Sequence, residues 1–273
     1  MSGRGFDLPA YLARVACPPP RGAALPALTA LHEAHAVAVP FENLDILLGR
    51  PILLDLDALQ RKLVLARRGG YCFEQNTLFQ AALESLGFAV TALGARVRLG
   101  AVGIRPRLHM VLRVELAGGA FLADVGFGGG GPVHPVPFES GVEVRTGPFA
   151  HRLVREDEVW VLQGRSGAAA WTDLYAFDLQ PQYAVDFEVA NHYTSTWPTQ
   201  AFVVNLTAQR SWPDHRLVLR NRELAVEDSA GTRAVRIDTP EQLLATLRSE
   251  FGLAFPAGTR FNARNLAWGQ VLP

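Results

Sequence analysis

Apolar residues recur at helical spacing through the first third of the chain, and the period then shortens to strand-like alternation. Asp7 is placed to cap a helix over residues 8–16, which Pro18-Pro19-Pro20 stops. A second helix is expected over 26–37, ended by Pro40, and a third over 56–66 behind the cap residue Asp55. Leu78, Phe79, Ala82, Leu83 and Leu86 trace one face of a fourth helix over 73–86, closed by Gly87. From Phe88 onward, segments 90–97, 108–116 and 120–125 read as strands separated by glycines. Further strand-like pieces lie at 152–154, 159–162 and 183–189, which together predict an antiparallel sheet or small barrel. In the last third, 217–219 and 224–226 flank Asn221 as a hairpin, and 234–237 adds a strand. Thr239-Pro240-Glu241-Gln242 is a capping-box start with proline in the first helical turn, for a helix that runs to Phe251 and stops at Gly252.

The pattern divides the chain into residues 1–87, largely helical, 88–190, largely β, and a mixed segment 191–273. The fold class is therefore α+β, and 273 residues with 49% hydrophobic content suffice for two or three packed units. Lysine plus arginine and aspartate plus glutamate both number 26, so the formal charge is zero and neither nucleic acid nor an anionic membrane is indicated as partner. Lys62 is the sole lysine, a bias that reads as genome composition. Cys17 and Cys72 make no disulfide framework; together with the lack of a charged-then-apolar leader pattern, they point to a cytoplasmic protein.

Composition excludes classes; Arg68-Gly69-Gly70-Tyr71-Cys72 suggests one. It sets a cysteine behind a Gly-Gly turn at the start of the fourth helix. A thiol there meets the positive end of the helix dipole and free backbone N–H groups, which favour thiolate, the nucleophilic form. Such a nucleophile needs a base and a group to orient the base. His109 opens the strand 108–116, Asp124 lies near the end of 120–125, and Ala117-Gly118-Gly119 is a tight-turn signal between them. A turn at Ala117-Gly118 sets His109 opposite Gly126 with Asp124 as its diagonal neighbour; a turn at Gly118-Gly119 moves Asp124 one diagonal step further. Either register keeps the two on one sheet face. A buried cysteine is ordinarily a small hydrophobe, but an aspartate between Ala123 and Val125 needs a partner if buried, and same-face His109 supplies one.

The chain resembles the arylamine N-acetyltransferases of prokaryotes. The resemblance rests on Pro40-Phe41-Glu42-Asn43-Leu44, on Arg68-Gly69-Gly70-Tyr71-Cys72-Phe73-Glu74-Gln75-Asn76, on His109-Met110 and on Asp124-Val125-Gly126-Phe127-Gly128, with weaker echoes at 191–198 and 202–206. It implies a helical domain, a β-barrel and an α/β lid, with a Cys72–His109–Asp124 triad between the first two. It implies acetyl-CoA as acyl donor rather than a permanently bound cofactor, and an aromatic amine or hydrazine as acceptor. The glycine run from Gly126 through Phe127, Gly128 and Gly129 to Gly131 is followed at once by prolines. It therefore does not open a helix as a dinucleotide fingerprint would, and the resemblance makes it the coenzyme loop. Phe41, Val97, Phe127 and Phe202 become the acceptor-pocket candidates, and Glu42 and Arg68 a bracing ion pair. His32-Glu33-Ala34-His35 lacks a third ligand and reads as structural, so no metal is expected. An amide synthase of polyketide biosynthesis, a transglutaminase-like or thioester hydrolase, and a non-catalytic binding protein use similar scaffolds; a monomer or homodimer fits any of them.

Overall fold

The computed structural model describes residues 6–268 of the chain. In chain order these form α1 (Leu8–Val15), α2 (Leu25–Ala38), β1 (Phe41–Glu42), α3 (Leu44–Leu47), α4 (Leu56–Leu59), a π-helical turn (Gln60–Leu65) and α5 (Cys72–Ser85). Then come β2 (Ala89–Val97), β3 (His109–Leu116), β4 (Gly119–Ala123), β5 (Val136–Pro137), β6 (Glu143–Thr146), β7 (Phe149–Glu156), β8 (Val159–Ser166) and β9 (Thr172–Pro181). The remainder is α6 (Ala184–Thr196), α7 (Ala201–Val204), β10 (Thr207–Ser211), β11 (Arg216–Arg220), β12 (Glu223–Asp228), β13 (Gly231–Arg236) and α8 (Pro240–Phe251).

Local chemistry sets several boundaries. The Asp7 carboxylate accepts the Ala10 N–H at 3.0 Å, and Thr239 caps α8 by accepting from Gln242 at 3.2 Å. Gly252 ends α8 in the left-handed conformation that glycine adopts without strain. The third expected helix keeps its first turn and then widens into the π-helical turn, with Ala66 N–H bonded to Arg61 and Arg68 N–H to Lys62.

The expected strand at 183–189 is instead the start of α6. Asp186 accepts the Tyr183 N–H at 2.8 Å, the mark of a helix N-terminus, and Phe187, Asn191 and Thr194 are buried at helical spacing. Val185 and Val189, whose β-branching suggested a strand, are 64% and 73% exposed. The helix runs across residue 190.

An eight-stranded antiparallel sheet in the order β5-β4-β3-β2-β9-β8-β7-β6 curls nearly into a barrel, its ends approaching where Ser140 bridges Leu153 of β7. A five-stranded sheet in the order β1-β10-β11-β12-β13 takes its edge strand from the N-terminal part of the chain. Three apolar cores result. One joins the helices to one face of β3 through Phe73, Phe79, Met110 and Leu112. A second fills the barrel around Leu93, Val111, Leu122 and Tyr175, and a third lies between the C-terminal sheet and α8. Among the described residues no helix is long and apolar enough to cross a membrane.

His32, His35 and His151 lie within these cores. Burial pushes His32 down to about 4, and His35 and His151 down to about 3. All three are therefore neutral in the fold, whereas in the unfolded chain they protonate near 6.5. Their contribution is complete above that pH and is lost as pH falls from about 6.5 toward 4. Urea midpoints should accordingly drop between pH 6.5 and 5. In His151→Gln, less stable at neutral pH, the drop should be shallower; a slope equal to the parent's would exclude this linkage.

Candidate active site

Cys72 is the first residue of α5, and the segment before it is held from three directions. Glu42 N–H donates to Gly70 O at 3.0 Å, so residues 69–70 lie beside β1. A Cβ at Gly69 would stand 2.0 Å from the Pro40 carbonyl oxygen, and one at Gly70 would stand 2.7 Å from Glu74 Oε2. The glycine pair therefore serves close backbone approach rather than a tight turn; neither adopts positive φ. Glu74 accepts the Tyr71 N–H at 3.1 Å and Lys62 Nζ at 2.7 Å. Arg68 donates through Nε and Nη2 to Glu42 Oε1 at 2.9 and 2.7 Å, the expected brace, and through Nη1 to Asp45 at 3.2 Å. Gln75 Nε2 donates to Gly70 O, while its Oε1 accepts from His35 Nε2, whose Nδ1 accepts from Tyr11. Every polar side chain of Glu74-Gln75 thus fixes the backbone around the thiol.

The hairpin that carries the other two residues turns at Ala117-Gly118, since Leu116 pairs with Gly119. That is the register in which Asp124 neighbours His109 diagonally. The ladder ends at Leu112↔Ala123, and the Asp124 N–H leaves the sheet to donate to His32 Nε2 at 3.0 Å. His32 Nδ1–H donates to Val133 O at 2.8 Å, which fixes the tautomer. His109 Nε2–H donates to Asp124 Oδ2 at 2.7 Å, with both side chains buried. Asp124 Oδ2 also accepts from the Tyr175 hydroxyl at 2.8 Å, and Oδ1 from Asn76 Nδ2 and the Gly126 N–H, each at 2.9 Å.

These contacts set the charge states. Burial opposes ionisation of Asp124, but His109, Asn76 and the Gly126 N–H hold its carboxyl below the ordinary range. Burial likewise opposes the imidazolium of His109, yet the Asp124 charge and hydrogen bond, with a contribution from the Cys72 sulfur, raise its pKa above the usual value. Burial and the adjacent carboxylate push the Tyr175 phenol far up, so it remains a donor. Cys72 is itself buried, its sulfur 3.8 Å from Leu108 O. Thiol, base and oriented carboxylate thus meet where the helical core joins the barrel, an arrangement suited to nucleophilic acyl chemistry.

The other expected site residues divide into groups. Gly126 lies on Cys72: an added Cβ would stand 2.7 Å from Cys72 Cα. The Phe127 ring stands edge-on to His109 at 5.2 Å. Gly128 has φ +87°, and Gly129 N–H donates to Gln209 Oε1 at 2.6 Å, so the glycine loop borders β10. Phe41 packs on Phe202 at 5.7 Å. Val97 and Phe202 line one cavity of about 420 Å³, together with Leu108. His32 and His35 spend their ring nitrogens on hydrogen bonds, and among the described residues no group of three His, Cys, Asp or Glu side chains is disposed to hold a metal.

The sequence pattern assigned Tyr175 no role and His32 only a structural one. Tyr175 sits on β9, a strand buried over both faces from Leu174 to Phe177, where alternation disappears. His32 reaches Asp124 across 92 residues, and helical periodicity carries no such information.

A family model described as N-acetyltransferase matches residues 24–259. The arylamine N-acetyltransferase / N-hydroxyarylamine O-acetyltransferase of Salmonella typhimurium is 38% identical over 249 residues, covering 90% of this chain and 88% of that protein. The Nocardia farcinica arylamine N-acetyltransferase structure superposes with a TM-score of 0.85 at 42% identity, covering 92% and 90% of the two chains. The Mycobacterium marinum enzyme, solved in complex with CoA, gives 0.86 at 36% identity over 90% and 92%. Matched along nearly its whole length in sequence and in fold, the chain belongs to the arylamine N-acetyltransferase family.

Proposed function

We propose that the protein transfers an acetyl group from acetyl-CoA to an aromatic amine or hydrazine by a ping-pong reaction through a Cys72 thioester. The observation that carries this reading is the buried Cys72–His109–Asp124 assembly, which Leu108 joins to a cavity with Val97 and Phe202 in its wall. The Cys72 thiolate attacks the acetyl carbonyl and a C–S bond forms; the coenzyme sulfur leaves with the proton held by His109. Backbone N–H groups at the start of α5 are the candidate oxyanion donors. The amine nitrogen then attacks the thioester, an N–C bond forms, the bond to Cys72 breaks, and the amine proton passes to His109. The thiolate–imidazolium pair is thereby restored.

In this reading Phe127 walls the thioester, Val97 and Phe202 hold the acceptor ring, and Phe41 supports Phe202 from behind. The loop of Gly126, Phe127, Gly128 and Gly129 receives the coenzyme diphosphate, with the Gln209 amide yielding the Gly129 N–H to it. The apolar part of the cavity lining, Val97, Leu108 and Phe202, favours transfer over hydrolysis, because it disfavours water beside the acetyl-enzyme. Both cysteines, Cys17 and Cys72, are free thiols, which supports a reducing, cytoplasmic setting.

Cys72→Ser should abolish both acetylation of the enzyme by acetyl-CoA and amine turnover. Cys17→Ser, which alters a thiol bonded to Pro18 O and remote from the triad, should leave turnover nearly intact. Equal losses in two folded variants would sink the assignment; turnover is followed by amine-dependent release of free coenzyme thiol. Tyr175→Phe removes one donor from Asp124 and should slow acetylation about tenfold. The acid limb of its pH–rate profile should also move to higher pH, because the carboxylate loses a hydrogen bond that favours its charged form. An unshifted profile would reduce Tyr175 to packing.

A further inference from the structure

The loop from Gly126 to Gly131 is glycine at every position but Phe127, and backbone that free is costly to order unless other groups hold it. Two side chains from different sheets grip consecutive carbonyls of the loop. His151 of β7 donates from Nε2 to Gly130 O at 3.0 Å, and Arg216 of β11 donates from Nη2 to Gly131 O at 3.3 Å. Both donors are buried. His151, neutral in the fold, faces Gly164 in the β7–β8 ladder, where an added Cβ would stand 3.3 Å from the imidazole Cδ2. A glycine on β8 thus leaves the ring its room.

Arg216 is the more costly of the two. Its guanidinium lies 3.6 Å from the centre of the Phe149 ring, and its Nε is buried without a hydrogen-bond partner. Glu227, opposite it in the β11–β12 ladder, forms no ion pair with it, and among the described residues the Gly131 carbonyl is the one acceptor its side chain meets. A buried cation with no carboxylate partner destabilises a fold, so its retention points to a role at the loop. That role is separable from the triad. Phe127 is held by Tyr175 at 5.1 Å and Gly126 by the Asp124 carboxylate, so the two donors govern only the distal residues 128–131.

We propose that His151 and Arg216 are positioning residues for the acyl donor: by gripping the Gly130 and Gly131 carbonyls they pre-order residues 128–131 as a cradle for the coenzyme diphosphate. Less ordering is then left to the binding step, which tightens it without any direct contact from either side chain. The proposal rests on the acetyl-transfer reading and on its assignment of the glycine loop to the diphosphate.

The probes are acetyl-CoA and S-acetyl-N-acetylcysteamine, which keeps the thioester and the adjoining amide but lacks the diphosphate. kcat/KM is measured for each donor and for the acceptor 4-methoxyaniline; in a ping-pong reaction these report separate half-reactions. His151→Leu removes one donor, His151→Gln replaces it with an amide N–H of similar reach, and Arg216→Met removes the other while keeping contact with Phe149. In His151→Leu and Arg216→Met, kcat/KM for acetyl-CoA should fall about fivefold, mostly through KM, and that for the small thioester and the amine should stay within about twofold. His151→Gln should recover most of the loss. Urea midpoints identify the folded variants, and Arg216→Met carries the test if His151→Leu does not fold. Equal losses with both donors would mean that the two residues only support the core, and a loss that glutamine fails to recover would reduce His151 to packing. Either result, or no loss, overturns the proposal while acetyl transfer stands. If the native chain uses the small thioester as readily as acetyl-CoA, the assignment of the loop to the diphosphate falls as well. If neither donor yields an acetylated Cys72 by mass spectrometry, the acetyl-transfer reading falls with them.

Discussion

Asp124 is a charged carboxylate sealed inside a barrel mouth, and a group in that position must be satisfied completely or it destabilises everything around it. Four donors satisfy it: His109 from β3, Tyr175 from β9, Asn76 from α5 and the Gly126 N–H from its own loop. Its backbone N–H is taken in turn by His32 of α2. Removing one partner from such a buried pair costs about 3–5 kcal/mol, a large share of a domain's net stability. The carboxylate thus ties the helical part to the barrel. The same contacts that make it tolerable orient the His109 ring toward the thiol and favour its protonated form.

A second polar network does for the nucleophile what Asp124 does for the base. Glu42, Asp45, Lys62, Arg68 and Glu74 join β1, α3, the π-helical turn and the start of α5. Burial disfavours the Lys62 ammonium, but three surrounding carboxylates outweigh that and hold it charged. Because β1 also forms the edge of the C-terminal sheet, the placement of Cys72 is linked to that sheet as well. Cys72 and Phe41 belong to the first core, Phe127 packs on the second, and β1 links both to the C-terminal sheet. Precision at the site is therefore a property of the whole fold rather than of one loop.

Much of this was legible from local patterns. The helix over Leu8–Val15, the Thr239 cap, the Asn221 hairpin and the position of Cys72 at the head of α5 each follow from signals a few residues apart. Pairing arithmetic placed His109 and Asp124 on one face, because side chains on a strand alternate with period two and the turn leaves only two registers. Local signals also misled. Valines at 185 and 189 suggested a strand where the Asp186 contact and the burial of Phe187 and Asn191 decide for helix. Both faces of β9 are buried, which erased the alternation that would have marked it.

By itself, the sequence determined the order of elements, the nucleophile at a helix N-terminus, the base and its orienter on one sheet face, and, through linked motifs, the family resemblance. Those features depend on residues close together in the chain, where periodicity and turn length carry the information. Only the tertiary structure decided that Tyr175 and His32 complete the Asp124 shell and that Gly69 and Gly126 are glycines because backbone passes against them. It also decided that Val97, Leu108 and Phe202, from three separate segments, line one cavity. Each of these depends on contacts between segments tens of residues apart, which exist only once packing has closed the chain on itself.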